Sequence, residues 1–206
     1  SLGTHKTLVM LFFNASLRTR LSTEKAAKQL GMDVIVLNVT DAWQLEFDSG
    51  VIMNLDKSEH VIEAAQVISQ YADILAVRAF PSLKDKNKDL SEWIINSFVT
   101  YATVPIVNME SATGHPLQAL ADAITIEELK TKSRPKVVLS WAPHPKALPH
   151  AVANSFIEIM QTIDVDFTIT HPEGYELNPD IVKETPVIYD QEAALKDADF
   201  VYVKNW

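Results

Sequence analysis

No cysteine occurs in the 206 residues. Within this stretch that excludes a disulfide framework, a cysteine-based zinc site and a thiol nucleophile. Glycine is scarce, at five, and no low-complexity tract is present, which leaves little room for a disordered linker. No apolar run reaches the roughly 18 residues of a membrane-spanning helix. No secretory leader is visible, so a cytoplasmic location is the default expectation. Positive charge is also short. Lys and Arg total 18 against 27 Asp and Glu, a net charge of −9, which argues against a general nucleic-acid role. Any phosphate site must then be built from local Arg and His side chains, because the overall field repels anions. The six His are scattered without ligand spacing, so neither a metal nor a cofactor is expected. No internal repeat is seen.

What is present is an alternation. Short apolar runs predict strands at 8–13, 34–39, 74–77, 104–108, 137–141, 167–170 and 200–203, with a weaker one at 186–189. Amphipathic patterns predict helices at 22–30, 59–71, 91–101, 117–129, 152–161 and 192–195. Strand–helix alternation implies an α/β chain with parallel sheets covered on both faces. At 47% hydrophobic the chain can bury a sizeable core or two small ones. The polar stretch Lys130-Thr131-Lys132-Ser133-Arg134-Pro135 precedes a fresh strand–helix series. A domain boundary is expected there, giving domains 1–132 and 133–206.

The most informative segment is Asn14-Ala15-Ser16-Leu17-Arg18-Thr19-Arg20, between a strand and a helix. A helix N-terminus presents unpaired N–H groups and a positive dipole end. Hydroxyls and guanidinium groups added there make a phosphate cradle without the glycines of a P-loop. The plainer alternative is an N-cap serine beside a solvated Arg pair. Asn108-Met109-Glu110-Ser111-Ala112-Thr113-Gly114-His115-Pro116-Leu117-Gln118 occupies the same strand-to-helix setting further on. Between the two, Arg78 ends an apolar strand, where it could hold an anion or simply form a strand-end salt bridge.

Ser16-x-Arg18-Thr19-Arg20, Arg78 and His115-Pro116-Leu117-Gln118 together resemble the aspartate/ornithine carbamoyltransferase superfamily. Asp41-Ala42-Trp43, Val51-Ile52-Met53, Glu59-His60, Trp141-Ala142-Pro143-His144-Pro145-Lys146 and Val203-Lys204-Asn205-Trp206 resemble the branch that acts on N-acylated ornithine. The resemblance runs along essentially the whole chain. It implies two doubly wound parallel-sheet domains, one for carbamoyl phosphate and one for the acylornithine, with the second incomplete here. Family members continue past the equivalent of Trp206, so this stretch is expected to be part of a longer protein or a truncated form.

The resemblance assigns roles. Ser16, Leu17, Arg18 and Thr19 would hold the phosphate, with Arg20 left to a structural pairing. Arg78, Thr19 and His115 would polarise the carbonyl and stabilise the oxyanion, and Gln118 would take the carbamoyl amide. The carbamoyl-phosphate set is thus Ser16, Leu17, Arg18, Thr19, Trp43, Arg78, His115 and Gln118. Trp43 would come from a neighbouring subunit of a homotrimer; the alternative is a Trp packed on its own domain. Glu110, His144, Lys204 and Ser58 would contact the acylornithine. No activated protein nucleophile is visible, so catalysis would rest on positioning and charge.

The acyl group is read from Asn54-Leu55-Asp56-Lys57-Ser58-Glu59-His60. The acetyl branch carries Glu at the place of Ser58, where it would repel a succinyl carboxylate; the succinyl branch carries Pro. Ser58 is small and neutral, and Lys57 adds positive charge, which favours N2-succinyl-L-ornithine as acceptor. Acetylornithine is the alternative acceptor. A different class of reading is a non-catalytic carbamoyl-phosphate or anion-binding subunit.

Overall fold

The protein is described from a computed structural model that covers residues 2–39, 43–53, 56–142 and 149–204. It divides into two compact units, Ser1–Ala112 and Thr113–Trp206.

In the first unit, β1 (Thr7–Phe12), β2 (Asp33–Asn38), β5 (Ile74–Arg78) and β6 (Ile106–Glu110) form a four-stranded sheet. The order is β2-β1-β5-β6 and every pairing is parallel. Both faces are covered, which is why β1 reads as an unbroken apolar run. Val9 and Leu11 enter one core cluster with α2 (Val61–Tyr71) and α4 (Trp93–Tyr101), through Val61, Ala65, Ile68, Ile95 and Phe98. Leu8, Met10 and Phe12 enter the opposite cluster with Ala27 of α1 (Arg18–Gln29). A two-stranded parallel pair, β3 (Leu45–Glu46) and β4 (Glu59–His60), precedes α2, and the short α3 (Lys86–Leu90) precedes α4.

In the second unit the sheet order is β8-β7-β9, again parallel, from β7 (Lys136–Trp141), β8 (Asp166–Thr170) and β9 (Phe200–Lys204). Val137, Leu139 and Trp141 pack on α5 (Pro116–Leu129) and α6 (Ala151–Met160), where Phe156 and Ile157 are buried. The remaining helices are α7 (Pro179–Val182) and α8 (Gln191–Leu195). The strand expected at 186–189 is reduced to a single bridge, Ile169 to Val187.

Chain order against sheet order locates a reversal in each sheet. In the first, β1 connects outward to β2, and the chain then returns to the other side of β1 as β5. In the second, β7 has β8 on one side and β9 on the other. Ligands of open parallel sheets collect beyond the carboxyl ends of the strands at such reversals. The compact units part at 112/113, twenty residues before the boundary expected from the sequence at 132/133, because Ala123 and Ile126 of α5 pack into the core of the second unit.

Candidate functional site

At the reversal of the first unit, Phe12 of β1 lies in register with Arg78 of β5. The segment after β1 turns directly into α1. Leu17, not Ser16, is the N-cap of that helix, and no side chain caps it. No acidic residue occupies the first turn, while Arg18 and Arg20 do. The result is a helix N-terminus with orphan N–H groups and a concentration of positive charge, which suits an anion. Ser16 and Thr19 are half-buried there, and Leu17 and Arg18 are exposed. Arg20 lies close enough to Glu24 to favour its charged form, although Lys28, at 2.6 Å, is the main partner of Glu24.

Arg78 is buried, at 7% exposure, and its guanidinium organises this loop. Nη1 donates to the carbonyls of Ala15 at 3.1 Å and Asn14 at 3.4 Å. Nε and Nη2 reach Glu110 Oε2 at 3.2 and 3.0 Å. The ring of Phe80 lies 4.2 Å below the guanidinium. The salt-bridge alternative for Arg78 is therefore present, and its partner is a residue expected to contact the acylornithine. The pair forms because the β5–β6 register slips between Val77 and Arg78, which sets Arg78 opposite Glu110. Asn14 was not among the expected site residues. Its Oδ1 accepts from Phe80 N–H at 2.7 Å and ties the loop after β5 to the loop after β1. No sequence signal singles it out, since loop Asn is common.

Trp43 and Ser58 are held by another set of bonds in the same unit. Trp43 is half-buried against its own core and donates from Nε1 to Glu59 Oε2 at 3.1 Å. It lines an apolar hollow of about 350 Å³ with Ile35, Leu37 and Tyr71. Ser58 is exposed, and its N–H donates to Gln44 O at 2.9 Å. Lys57 Nζ donates to Gln44 Oε1 at 2.7 Å, so its charge is directed by Gln44.

In the second unit, His115 is the N-cap of α5 and Pro116 its first helical residue. Proline suits that place because its missing N–H is not needed there. His115 N–H donates to Ser155 Oγ at 2.8 Å, which fixes the entry to the helix. Gln118 is exposed one turn on and donates from Nε2 to Asp122 Oδ1 at 2.9 Å. Burial pushes the Asp122 carboxyl above its ordinary value, against the opposing pull of Gln118, Tyr202 and His115. Burial and the neighbouring Asp122 likewise push the Tyr202 phenol up. Lys204 ends β9 in register with Trp141, at the reversal of this sheet, and its carbonyl accepts from Ala142 N–H at 3.2 Å. His144 lies outside the described residues. Among the described residues no group of three or more His, Cys, Asp or Glu could hold a metal ion, and no helix is long and apolar enough to cross a membrane.

Comparison with known proteins gives a consistent result. A family model for the aspartate/ornithine carbamoyltransferase carbamoyl-P binding domain matches residues 2–128. N-succinylornithine carbamoyltransferase of Bacteroides thetaiotaomicron is 56% identical over 206 residues, all of this chain and 65% of that protein. N-acetylornithine carbamoyltransferase of Xylella fastidiosa is 39% identical over 220 residues, 98% of this chain and 64% of that protein. A crystal structure of N-acetyl-L-ornithine transcarbamylase superposes with a TM-score of 0.89 at 40% identity. It covers all of this chain and 67% of the other, carries serine in place of a glutamate, and is complexed with carbamyl phosphate and N-succinyl-L-norvaline. The chain thus spans 64–65% of the length of the two curated relatives.

Proposed function

The chain belongs to the aspartate/ornithine carbamoyltransferase family, in its N-acylornithine branch, and from that premise we propose that the full protein carbamoylates N2-succinyl-L-ornithine. The donor is carbamoyl phosphate and the products are N-succinylcitrulline and phosphate, a step of arginine biosynthesis. The observation that carries the proposal is the uncapped, basic N-terminus of α1 beneath the buried Arg78, at the reversal point of a parallel sheet.

In this reading Ser16, Arg18, Thr19 and the N–H groups of Leu17 and Thr19 bind the phosphate. Arg78, Thr19 and His115 face the carbamoyl oxygen and stabilise the oxyanion. Gln118 accepts from the carbamoyl NH2. Glu110, His144, Lys204 and Ser58 place the acylornithine. The uncharged side-chain amine attacks the carbonyl carbon, the carbon–oxygen bond to phosphate breaks, and the departing phosphate takes the amine proton. No covalent enzyme intermediate is needed, so rate comes from orientation and charge. Residues 1–132 form the carbamoyl-phosphate domain and 133–206 begin the acylornithine domain. The match of the family model to residues 2–128 supports that division. The working form is a cytoplasmic homotrimer, and for Trp43 to reach a neighbouring site its indole exchanges the bond to Glu59 for one across the subunits.

Succinyl is favoured over acetyl because Ser58 is open and neutral and because the 56% identical relative is a succinylornithine enzyme. A glutamate-to-serine variant of an acetylornithine enzyme accommodates a succinyl analogue, which runs parallel to that reasoning. The test offers carbamoyl phosphate to the full-length protein with succinyl-, acetyl- or free ornithine. Turnover of the succinyl substrate is expected. Turnover of acetylornithine instead would overturn the acyl assignment, and no turnover of any would leave an anion-binding role. In Ser58→Glu, selectivity is expected to move toward acetylornithine by about tenfold or more, as one misplaced charge costs over 1 kcal/mol. Unchanged selectivity in that variant removes charge repulsion as the cause.

A further inference from the structure

Asp122 has no part in the chemistry above, yet it touches a residue that does. It sits one helical turn beyond Gln118 on α5, and its Oδ1 accepts the 2.9 Å bond from Gln118 Nε2. Its Oδ2 is buried without a hydrogen-bond partner of regular geometry among the described residues, beside the phenol of Tyr202. The Tyr202 ring is itself fixed, stacked on Phe156 with centroids 4.1 Å apart. Tyr202 and Lys204 alternate onto the same, less exposed side of β9. Asp122 is therefore a confined acceptor that lies between Gln118, at the start of α5, and Tyr202, on the strand bearing Lys204.

A primary amide has two ends of similar shape and opposite hydrogen-bond sense. A carboxylate cannot donate, so Asp122 selects the nitrogen end of Gln118 and turns Oε1 away from itself. Gln118 is exposed, which leaves Oε1 open to a ligand. Resting on the carbamoyl-transfer reading, we propose that Asp122 is a positioning residue that fixes the Gln118 amide with Oε1 presented to the NH2 of the carbamoyl group. Without it the amide is free to turn over and offer N–H to N–H, which is repulsive. The arrangement distinguishes carbamoyl phosphate from acyl phosphates that carry a methyl group in place of the amine.

The experiment measures binding of carbamoyl phosphate, acetyl phosphate and inorganic phosphate to the full-length protein by calorimetry. In Asp122→Ala, carbamoyl phosphate is expected to weaken about tenfold, the scale of one well-oriented hydrogen bond. Acetyl phosphate and phosphate, which lack the amine, stay within about twofold. Asp122→Asn keeps an acceptor oxygen but adds a donor that can equally hold Oε1, so it is expected to restore only part of the affinity. Combined with Gln118→Ala, the loss is less than the sum of the two, because both remove one interaction. A parallel fall for all three ligands, an unchanged carbamoyl phosphate affinity, or additive losses would each overturn the proposal. So would an unmodified protein that binds carbamoyl phosphate no better than acetyl phosphate. If that discrimination is present and depends on Asp122 but no ornithine derivative is turned over, the positioning role stands and the carbamoyl-transfer reading falls.

Discussion

Arg78 and Glu110 are buried together, at 7% and 9% exposure, and removing water from two charges costs several kcal/mol for each ion. Their 3.0 Å contact offsets that cost only while both are present. Glu110→Ala is therefore expected to destabilise the protein by about 3–5 kcal/mol, by stranding a buried guanidinium. The double change Arg78→Met with Glu110→Leu should come close to the parent in urea denaturation, because an apolar pair of similar volume avoids the desolvation cost. On the proposed reading the same double variant should also lose carbamoyl transfer in the full protein, since the loop carbonyls of Ala15 and Asn14 lose their anchor. Denaturation midpoints and initial rates on one preparation check both halves. A double variant as unstable as Glu110→Ala would mean the pair is needed for folding as well as for chemistry. Arg78 itself was legible in the sequence, as a charge ending an apolar run. Its partner was not, because the register slip after Val77 depends on strand pairing between distant segments. Trp43 shows the same limit: a Trp in a polar stretch reads as exposed, but Glu59, sixteen residues on, gives its indole an internal partner.

The α1 helix begins against its own interest. Basic side chains in a first turn oppose the helix dipole, and an absent N-cap leaves donors unpaired. A sequence optimised for stability alone would place Ser or Asp at position 17 and acid beyond it. Arg18→Glu should raise the stability of the ligand-free protein by about 0.3–1 kcal/mol. It should also abolish the stabilisation expected of the parent from bound phosphate, about 2.7 kcal/mol at a hundredfold excess over Kd. Thermal melts with and without phosphate measure both effects. A variant that gains nothing when free, or still responds to phosphate, would remove this account of α1. The main elements were legible because their signals are local and strong. Fully buried parallel strands read as continuous Val, Leu and Ile runs, and α2 begins at an extended His60 whose ring accepts from Ile62 N–H. The short α3 escaped notice because Lys86–Leu90 is almost wholly polar. It is set by tertiary bonds, with Asp85 capping its start and the buried Asp89 accepting from Ser82 and Leu83 N–H. The start of α7, Asn178-Pro179, carries a visible cap and N1 proline, but four residues give no periodicity to read.

The two units repeat one division of labour between the ends of their strands. The carboxyl ends carry candidate site residues, Arg78 and Glu110 in one unit and Lys204 in the other. The amino ends carry staples. Asp73, just before β5, accepts from Lys6 Nζ at 2.8 Å and Thr7 N–H at 2.9 Å at the start of β1. Asp199, just before β9, pairs with Lys132 Nζ at 2.6 Å and accepts from Lys136 N–H at 2.8 Å at the start of β7. That the chain is two parallel-sheet units was legible from the alternation of runs. Where the contacts divide was not, because α5 follows the first motif series in sequence but packs its apolar face, Ala123 and Ile126, on α6. The staples have a consequence for pH. The Lys6 ammonium and Thr7 N–H hold Asp73 below its ordinary value of 3.8, and the Lys132 ammonium and Lys136 N–H do the same for Asp199. A carboxyl whose folded value is depressed contributes stability above its unfolded value and loses it as pH falls through the folded one. Asp122, raised by burial, has the opposite sign: its ionisation costs stability as pH rises past the ordinary aspartate range. Acid unfolding should therefore set in below about pH 4, and Asp73→Asn and Asp199→Asn should each lower stability at pH 7 and flatten that acid limb. Urea midpoints between pH 2 and pH 7 decide it. A variant with an unchanged acid limb would show that its aspartate titrates alike in the folded and unfolded chain, and the staple would then be geometric only.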